Sequence, residues 1–156
     1  MPKIDEMQLK KEIKSGDFKN AYLLYGEESY LKEYYANELK NKIVDKTFEA
    51  FNYHSFDGKD TELDDILKDA QMLPMMSEYN FVLVKDYPIE KSSNDIKLLE
   101  EYLSDAPDST VLVFWFDALD PDVKSAKFKK VIKAFEKAGN CVELQKRSEN
   151  FVAMLL

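Results

Sequence analysis

The sequence contains few of the residues that most often form disulfides, metal centres or phosphate clamps. It has one cysteine, Cys141, one histidine, His54, and one arginine, Arg147, in 156 residues. A single cysteine cannot form an internal disulfide, which favours a reducing compartment. One histidine argues against a zinc cluster, and one arginine argues against bidentate phosphate binding. We therefore expect no metal centre, and we assign structural roles to Cys141 and His54.

Positive charge and long apolar runs are also scarce. The 22 Lys and Arg residues are outnumbered by 30 Asp and Glu residues, and the net charge is −8. An acidic chain disfavours the counterion release that drives DNA binding, so we expect weak DNA binding by this chain alone. No segment approaches the roughly 20 apolar residues of a membrane span, and the first residues do not resemble a signal peptide. The predicted location is the cytoplasm, without membrane contact.

Short apolar segments do occur, and they alternate with amphipathic segments along the chain. The predicted strands are residues 21–26, 50–56, 81–84, 110–116 and 141–144, and the predicted helices are 4–15, 29–45, 61–72, 94–104 and 124–138. This alternation predicts a three-layer α/β domain with a five-stranded parallel sheet. The fourth strand is apolar on both faces, so we place it at the centre of the sheet.

The turn after the first strand lacks the pattern of a phosphate-binding loop. Such a loop needs a second glycine followed by lysine and a hydroxyl residue, whereas here Gly26 is followed by Glu27, Glu28 and Ser29. Two glutamates would repel phosphates. We therefore expect no nucleotide cofactor and no ATPase activity.

Acidic residues follow two other predicted strands. Asp86 and Asp117 come after the third and fourth strands, where ligands bind in sheets of this kind. Carboxylates at strand ends can hold a magnesium ion, but we interpret these two as ordinary loop carboxylates.

The connector between the third helix and the third strand carries an unusual apolar group. Pro74 ends the helical pattern, and Met75 and Met76 follow at once. Connectors lie on the surface and often carry function, so the methionines are candidates for partner contact. Methionine is also a common filler of gaps in a core, and the residue pattern alone favours that second interpretation.

Several segments together resemble the delta subunit of bacterial DNA polymerase III, in order and spacing. They are AYLLYGEESYL at 21–31, FNYHSFDG at 51–58, MLPMMS at 72–77, FVLVK at 81–85, and 111–120. The resemblance covers residues 20 to about 147. It implies an AAA+ type domain, without a functional phosphate loop, from the clamp loader of the DNA polymerase holoenzyme.

The resemblance also implies a partner and a binding site. Such a domain grips the ring-shaped sliding clamp (beta) and helps to open its ring during DNA replication. The family's gripping pair is usually leucine then phenylalanine, and Met75 and Met76 stand at those places, apolar but without the aromatic ring. This shifts our expectation for both residues from core filling to partner contact. The implied partner-binding residues are Leu73, Pro74, Met75 and Met76, with no catalytic residue, cofactor or metal.

The family's organisation gives expectations for the ends of the chain. Residues 1–147 would form the clamp-binding domain, and residues 148–156 would begin a helix leading to a lid domain beyond this sequence. Other clamp-loader subunits would be contacted through further C-terminal domains, and DNA only within the full complex.

Two other hypotheses remain open at this point. A receiver-like phospho-acceptor domain also has five parallel strands, and Glu27, Glu28, Asp86 and Lys146 could fill its acidic and lysine positions. Against it, Asp117 stands where a hydroxyl residue is expected. Phosphorylation of Asp86 by a small phosphodonor would distinguish it. A nucleotide hydrolase with an atypical phosphate site is the other hypothesis, which direct nucleotide titration would test.

Overall fold

Six strands and six α-helices alternate along residues 3–145, the part of the chain that the computed structural model describes. The strands are β1 Lys3–Ile4, β2 Ala21–Tyr25, β3 Tyr53–Asp57, β4 Asn80–Lys85, β5 Thr110–Trp115 and β6 Asn140–Glu143. The helices are α1 Glu6–Ser15, α2 Ser29–Ile43, α3 Glu49–Asn52, α4 Leu63–Ala70, α5 Ser93–Ser104 and α6 Ala126–Ala138. The helix predicted for residues 148–156 lies outside the described residues, as do Lys146 and Arg147.

All the strands are parallel, in the order β1-β6-β2-β5-β4-β3. Strand β5 lies between β2 and β4, and every one of its residues is buried. The predicted central position of this strand is therefore confirmed. The five predicted strands are all present, and β1 adds a two-residue sixth strand at one edge.

Helices cover both faces of the sheet, and alternate residues of β5 contact the two helical layers. Leu112 and Phe114 belong to the core with α4, α5 and α6, whereas Val111 and Val113 belong to the core with α1 and α2. This is the expected three-layer arrangement, because a parallel strand buried on both faces needs cover on each. Among the described residues, no helix is both long and apolar enough to cross a membrane.

Most predicted boundaries differ from the observed ones by one or two residues, as for the helix predicted at 61–72 and observed at Leu63–Ala70, and two differences place a residue in another element. Ile4 was expected in the first helix, but it lies in β1 and pairs with Val142 of β6. Helix α1 begins only after Asp5, whose carboxylate accepts a hydrogen bond from the Gln8 amide at 2.9 Å. An aspartate N-cap has extended backbone geometry, so it separates the helix from Ile4.

Phe51 was expected in the second strand, but it lies in the short helix α3. The alternating Phe51, Tyr53 and Phe56 fit a strand period, yet β3 begins only at Tyr53. A helical turn starts after Asp45, whose side chain accepts from the Thr47 amide at 2.9 Å, and leads into α3. Local capping therefore overrides the strand pattern up to Asn52.

The β2–α2 turn requires glycine at position 26. Gly26 has φ +117°, and a Cβ there would lie 2.3 Å from the Leu144 carbonyl oxygen. Leu144 is fixed in turn, because its amide donates to the Tyr25 carbonyl at 2.7 Å. The backbone of Gly26 therefore lies directly against that of Leu144, and neither segment can move away without a cost in free energy.

We predict that Gly26→Ala lowers the free energy of unfolding by about 2–5 kcal/mol, from backbone strain and overpacking. Gly16→Ala is the matched control: Gly16 has φ +79° but open space around the Cβ position. That control should lose only about 1–2 kcal/mol. Urea unfolding of both variants measures the difference, and equal losses would contradict the close approach at Gly26.

Candidate partner-binding site

The apolar loop, defined as residues 72–76, connects α4 to β4 and presents its side chains to solvent. The exposed fractions are 46% for Met72, 78% for Leu73, 55% for Met75 and 80% for Met76, while Pro74 is partly buried. These exposures are not those of residues that fill a core. The loop therefore displays apolar surface that residues 3–145 leave uncovered.

The helix before the loop explains why its apolar residues turn outward. Helix α4 buries Leu63, Ile66, Leu67 and Ala70 against the sheet. After Ala70 the backbone tightens, and the Met72 amide donates to the Asp69 carbonyl at 3.1 Å. Pro74 then has no amide hydrogen with which to continue a helix. The helical pattern ends, and the residues that follow leave the core-facing stripe.

Two buried asparagines hold the loop in place. The Asn52 side chain donates to the Met75 carbonyl at 2.8 Å and accepts from the Met75 amide at 2.7 Å. The Asn80 side chain donates to the carbonyls of Asp69 at 2.8 Å and Met72 at 3.1 Å. Asn52 and Asn80 are 2% and 1% exposed, so these bonds are partly shielded from water. Side-chain amides thus supply the bonds that a neighbouring strand would supply elsewhere.

The backbone of Met76 adopts a conformation that is uncommon for a residue with a side chain. Its φ is 57°, in the left-handed region, which costs about 1–2 kcal/mol for an L-residue other than glycine. Such conformations persist where the surrounding structure fixes them. Here Asn52 fixes the backbone of the preceding residue, Met75. Met76 itself has the most exposed side chain of the loop.

The sequence interpretation missed both asparagines. An asparagine within an aromatic segment, or directly before a buried strand, signals a polar group that will need a partner. The sequence could have drawn attention to Asn52 and Asn80 on that ground. It could not have identified Met75 as the partner of Asn52, because the two residues are 23 positions apart.

At the carboxyl ends of the strands, opposite the apolar loop, the predicted acidic residue Asp86 has partners within the chain. Asp86 is 1% exposed, and its carboxylate accepts from the amides of Asp117, Ala118 and Leu119 at 2.7, 3.1 and 3.1 Å. Burial alone would raise the pKa of Asp86, but the three backbone amides outweigh it and hold the pKa below its usual value. A buried carboxylate with these bonds gives no support to the receiver-like hypothesis.

The turn that replaces a phosphate loop is also held from within the chain. The Glu28 side chain caps α2 by accepting from the Tyr30 amide at 3.2 Å. The Lys32 ammonium group is buried and donates to the Gly26 carbonyl at 2.8 Å. Burial lowers the pKa of Lys32, although nearby carboxylates oppose that shift. These contacts support the expectation that no phosphate binds here, which nucleotide titration would test.

The single cysteine and histidine lie in structural positions. Cys141 is buried, with its thiol 3.4 Å from the Ile132 carbonyl. The Nδ1 atom of His54 lies 3.3 Å from a carboxylate oxygen of Asp69. Among residues 3–145, no group of three or more His, Cys, Asp or Glu side chains is placed to hold a metal ion.

We predict that Asn52→Ala loosens the apolar loop, because the Met75 amide and carbonyl lose their buried partner. The expected loss of stability is about 1–3 kcal/mol, with faster hydrogen exchange at Met75. Asn37→Ala, at an exposed position of α2, is the control: it should leave exchange at Met75 unchanged and raise stability by at most about 0.7 kcal/mol, because alanine is the better helix former. Unchanged exchange at Met75 in Asn52→Ala would show that the loop is held by other contacts.

We predict that Asp86 makes the fold sensitive to acid. A lowered pKa in the folded state stabilises the protein above the unfolded-state pKa of about 3.9, and this gain is lost as pH falls through the folded-state pKa. Asp86→Asn should cost about 1.5–3 kcal/mol at pH 7 and flatten the dependence of unfolding free energy on pH below about 5. Asp108→Asn, at an exposed position, should preserve that dependence. Identical pH profiles for Asp86→Asn and the unmodified chain would contradict the prediction.

The comparison of sequences identifies relatives of this chain. The model of the family described as DNA polymerase III, delta subunit, matches residues 22–145. The DNA polymerase III subunit delta of Bacillus subtilis is 31% identical over 134 residues, which is 81% of this chain and 38% of that protein. The chain therefore spans well under half the length of this curated relative.

The comparison of structures agrees. The Bacillus subtilis DNA clamp loader delta protein superposes with a TM-score of 0.77 at 25% identity, over 96% of this chain and 45% of that one. A DNA polymerase III gamma subunit-related protein from Thermotoga maritima shares the fold, with a TM-score of 0.63 at 17% identity, over 95% of this chain and 49% of that one. The chain thus belongs to the DNA polymerase III delta subunit family and has the AAA+-like fold of clamp-loader proteins.

Proposed function

We propose that this chain is the clamp-binding part of a clamp-loader delta-type subunit, which grips a sliding clamp and helps to open its ring during DNA replication in the cytoplasm. The observation that carries the proposal is the apolar loop, in which Met75 and Met76 are exposed while the backbone of Met75 is held by the Asn52 side chain. Contacts with other loader subunits, and with DNA within the full complex, are assigned to surfaces outside this loop.

The chemistry of the loop suits an apolar pocket on a partner. Large apolar side chains that a fold exposes together mark interaction sites more often than isolated ones do. Methionine has a flexible, polarizable side chain that adapts to irregular apolar surfaces. Burying one such side chain is worth roughly 1.5–3 kcal/mol. Two methionines are therefore sufficient to contribute a large part of a moderate affinity.

The fixed backbone of the loop strengthens this contribution. Association costs free energy whenever a loop has to be ordered. Asn52 and Asn80 already hold residues 69–75 through buried hydrogen bonds. Part of the ordering cost for the loop backbone is therefore already met before binding.

No catalytic role is included in the proposal. The β2–α2 turn carries Glu28 at the helix start and Lys32 on the Gly26 carbonyl, which supports a subunit without ATPase activity of its own. The net charge of −8 disfavours contact with phosphates, so we expect this chain alone to bind DNA weakly. The function is thus one of protein contact within a larger replication assembly.

We predict that replacing both methionines, Met75→Ser with Met76→Ser, weakens binding to a bacterial sliding clamp by about tenfold to a few hundredfold, at about 1.4 kcal/mol per decade. Met7→Ser is the control, since Met7 is 65% exposed on α1. Surface plasmon resonance measures the affinity, and thermal unfolding followed by circular dichroism measures stability.

Two results would contradict the proposal. Unchanged affinity in the double variant would remove the contact role of the loop. A large fall in stability would mean that the methionines support the fold, because changes at exposed positions usually alter stability by no more than about 0.5 kcal/mol.

A further inference from the structure

The exposed large apolar side chains of the described residues fall into two groups. One group lies on α1 and α2 and consists of Met7, Tyr30 and Tyr34. The other consists of the apolar loop and one residue from a different element, Phe51 of α3, which is 54% exposed. A single exposed aromatic residue needs no explanation. Phe51 needs one because of where it lies.

Hydrogen bonds place the backbone of Phe51 next to a residue that holds the apolar loop. The next residue, Asn52, bonds to both the amide and the carbonyl of Met75 at 2.7 and 2.8 Å. The Cα atom of Phe51 is about 3.8 Å from that of Asn52, as for any consecutive pair. Asn52 is buried and Phe51 is 54% exposed, so the chain passes from the interior to the surface between these two residues.

The sheet gives a second, independent reason for this placement. Helix α3 leads directly into β3, and the loop leads into β4. These strands are parallel neighbours, with Tyr53 paired to Phe81 at their starts. Both segments therefore approach the sheet at the same edge, and their adjacency does not depend on the Asn52 side chain alone.

Two polar pairs involve residues of the elements next to this area. The Lys40 ammonium group lies 3.8 Å from Glu49 and 4.4 Å from the centre of the Tyr53 ring. On the other side, His54 lies 3.3 Å from Asp69. An apolar centre with a polar, internally paired rim is the usual composition of a protein interface.

We propose that Phe51 belongs to the same contact surface as Met75 and Met76 and packs against the sliding clamp together with them. This inference rests on the proposed function and extends it to a residue 24 positions before Met75. An aromatic ring supplies a large contact area with few rotatable bonds. Phe51 would thus be the rigid anchor, and the methionines would adapt around it.

The test is the clamp affinity of two variants, Phe51→Ala and Phe51→Gln, measured by surface plasmon resonance alongside thermal unfolding. Alanine and glutamine are both good helix formers, so both variants should keep α3, and glutamine removes the aromatic ring while keeping a long side chain. Each variant should bind about tenfold more weakly, equivalent to about 1.4 kcal/mol, with little change in melting temperature. Tyr30→Ala, an exposed aromatic of the other group, is the control and should bind as the unmodified chain does.

The outcomes separate this inference from the proposed function. If the methionine double variant loses affinity and the folded Phe51 variants do not, the inference is overturned and the function stands. If neither loses affinity, the function itself is overturned. If Tyr30→Ala weakens binding as much as Phe51→Ala, the contact is not specific to the surface proposed here, and the inference is likewise overturned.

Discussion

The burial of β5 on both faces is the constraint on which the rest of the structure depends. A strand with two covered faces needs helices on each side, and the chain supplies them by returning over the sheet after every strand. Parallel strands joined in this way all start at one edge and end at the other. The segments that enter β3 and β4 are therefore neighbours, although 23 residues separate Asn52 from Met75.

The two edges of the sheet have different properties as a result. At the carboxyl ends, where sheets of this kind usually bind ligands, Asp86 and Glu28 cap the chain's own backbone amides, and Lys32 bonds to a carbonyl. Polar groups there are used to stabilise loops. At the amino ends, the backbone of the apolar loop is held while its side chains remain exposed. The exposed apolar side chains of the loop thus lie at the strand ends opposite the usual ligand site.

The sequence predicted those features that depend on nearby residues. The strands β2 and β5 are short apolar runs, and Pro74 marks the end of a helix, so each is visible in a few adjacent positions. It failed where a distant partner decides the structure. Ile4 pairs with a strand near residue 142. The prediction failed at Phe51 for a local reason, because a capped helical turn leads into α3 and overrides the strand-like period. The loop residues were predicted, but the asparagines that hold them were not.

The way in which Asn52 binds residue 75 separates the shape of the loop from its surface chemistry. Both hydrogen bonds go to backbone atoms, which every residue except proline provides equally. The side chain at this position can therefore be exchanged without removing the bonds that hold it. A loop built in this way lets mutation sample new side chains on an unchanged frame, so a subunit and its partner can evolve together through small steps that leave folding intact.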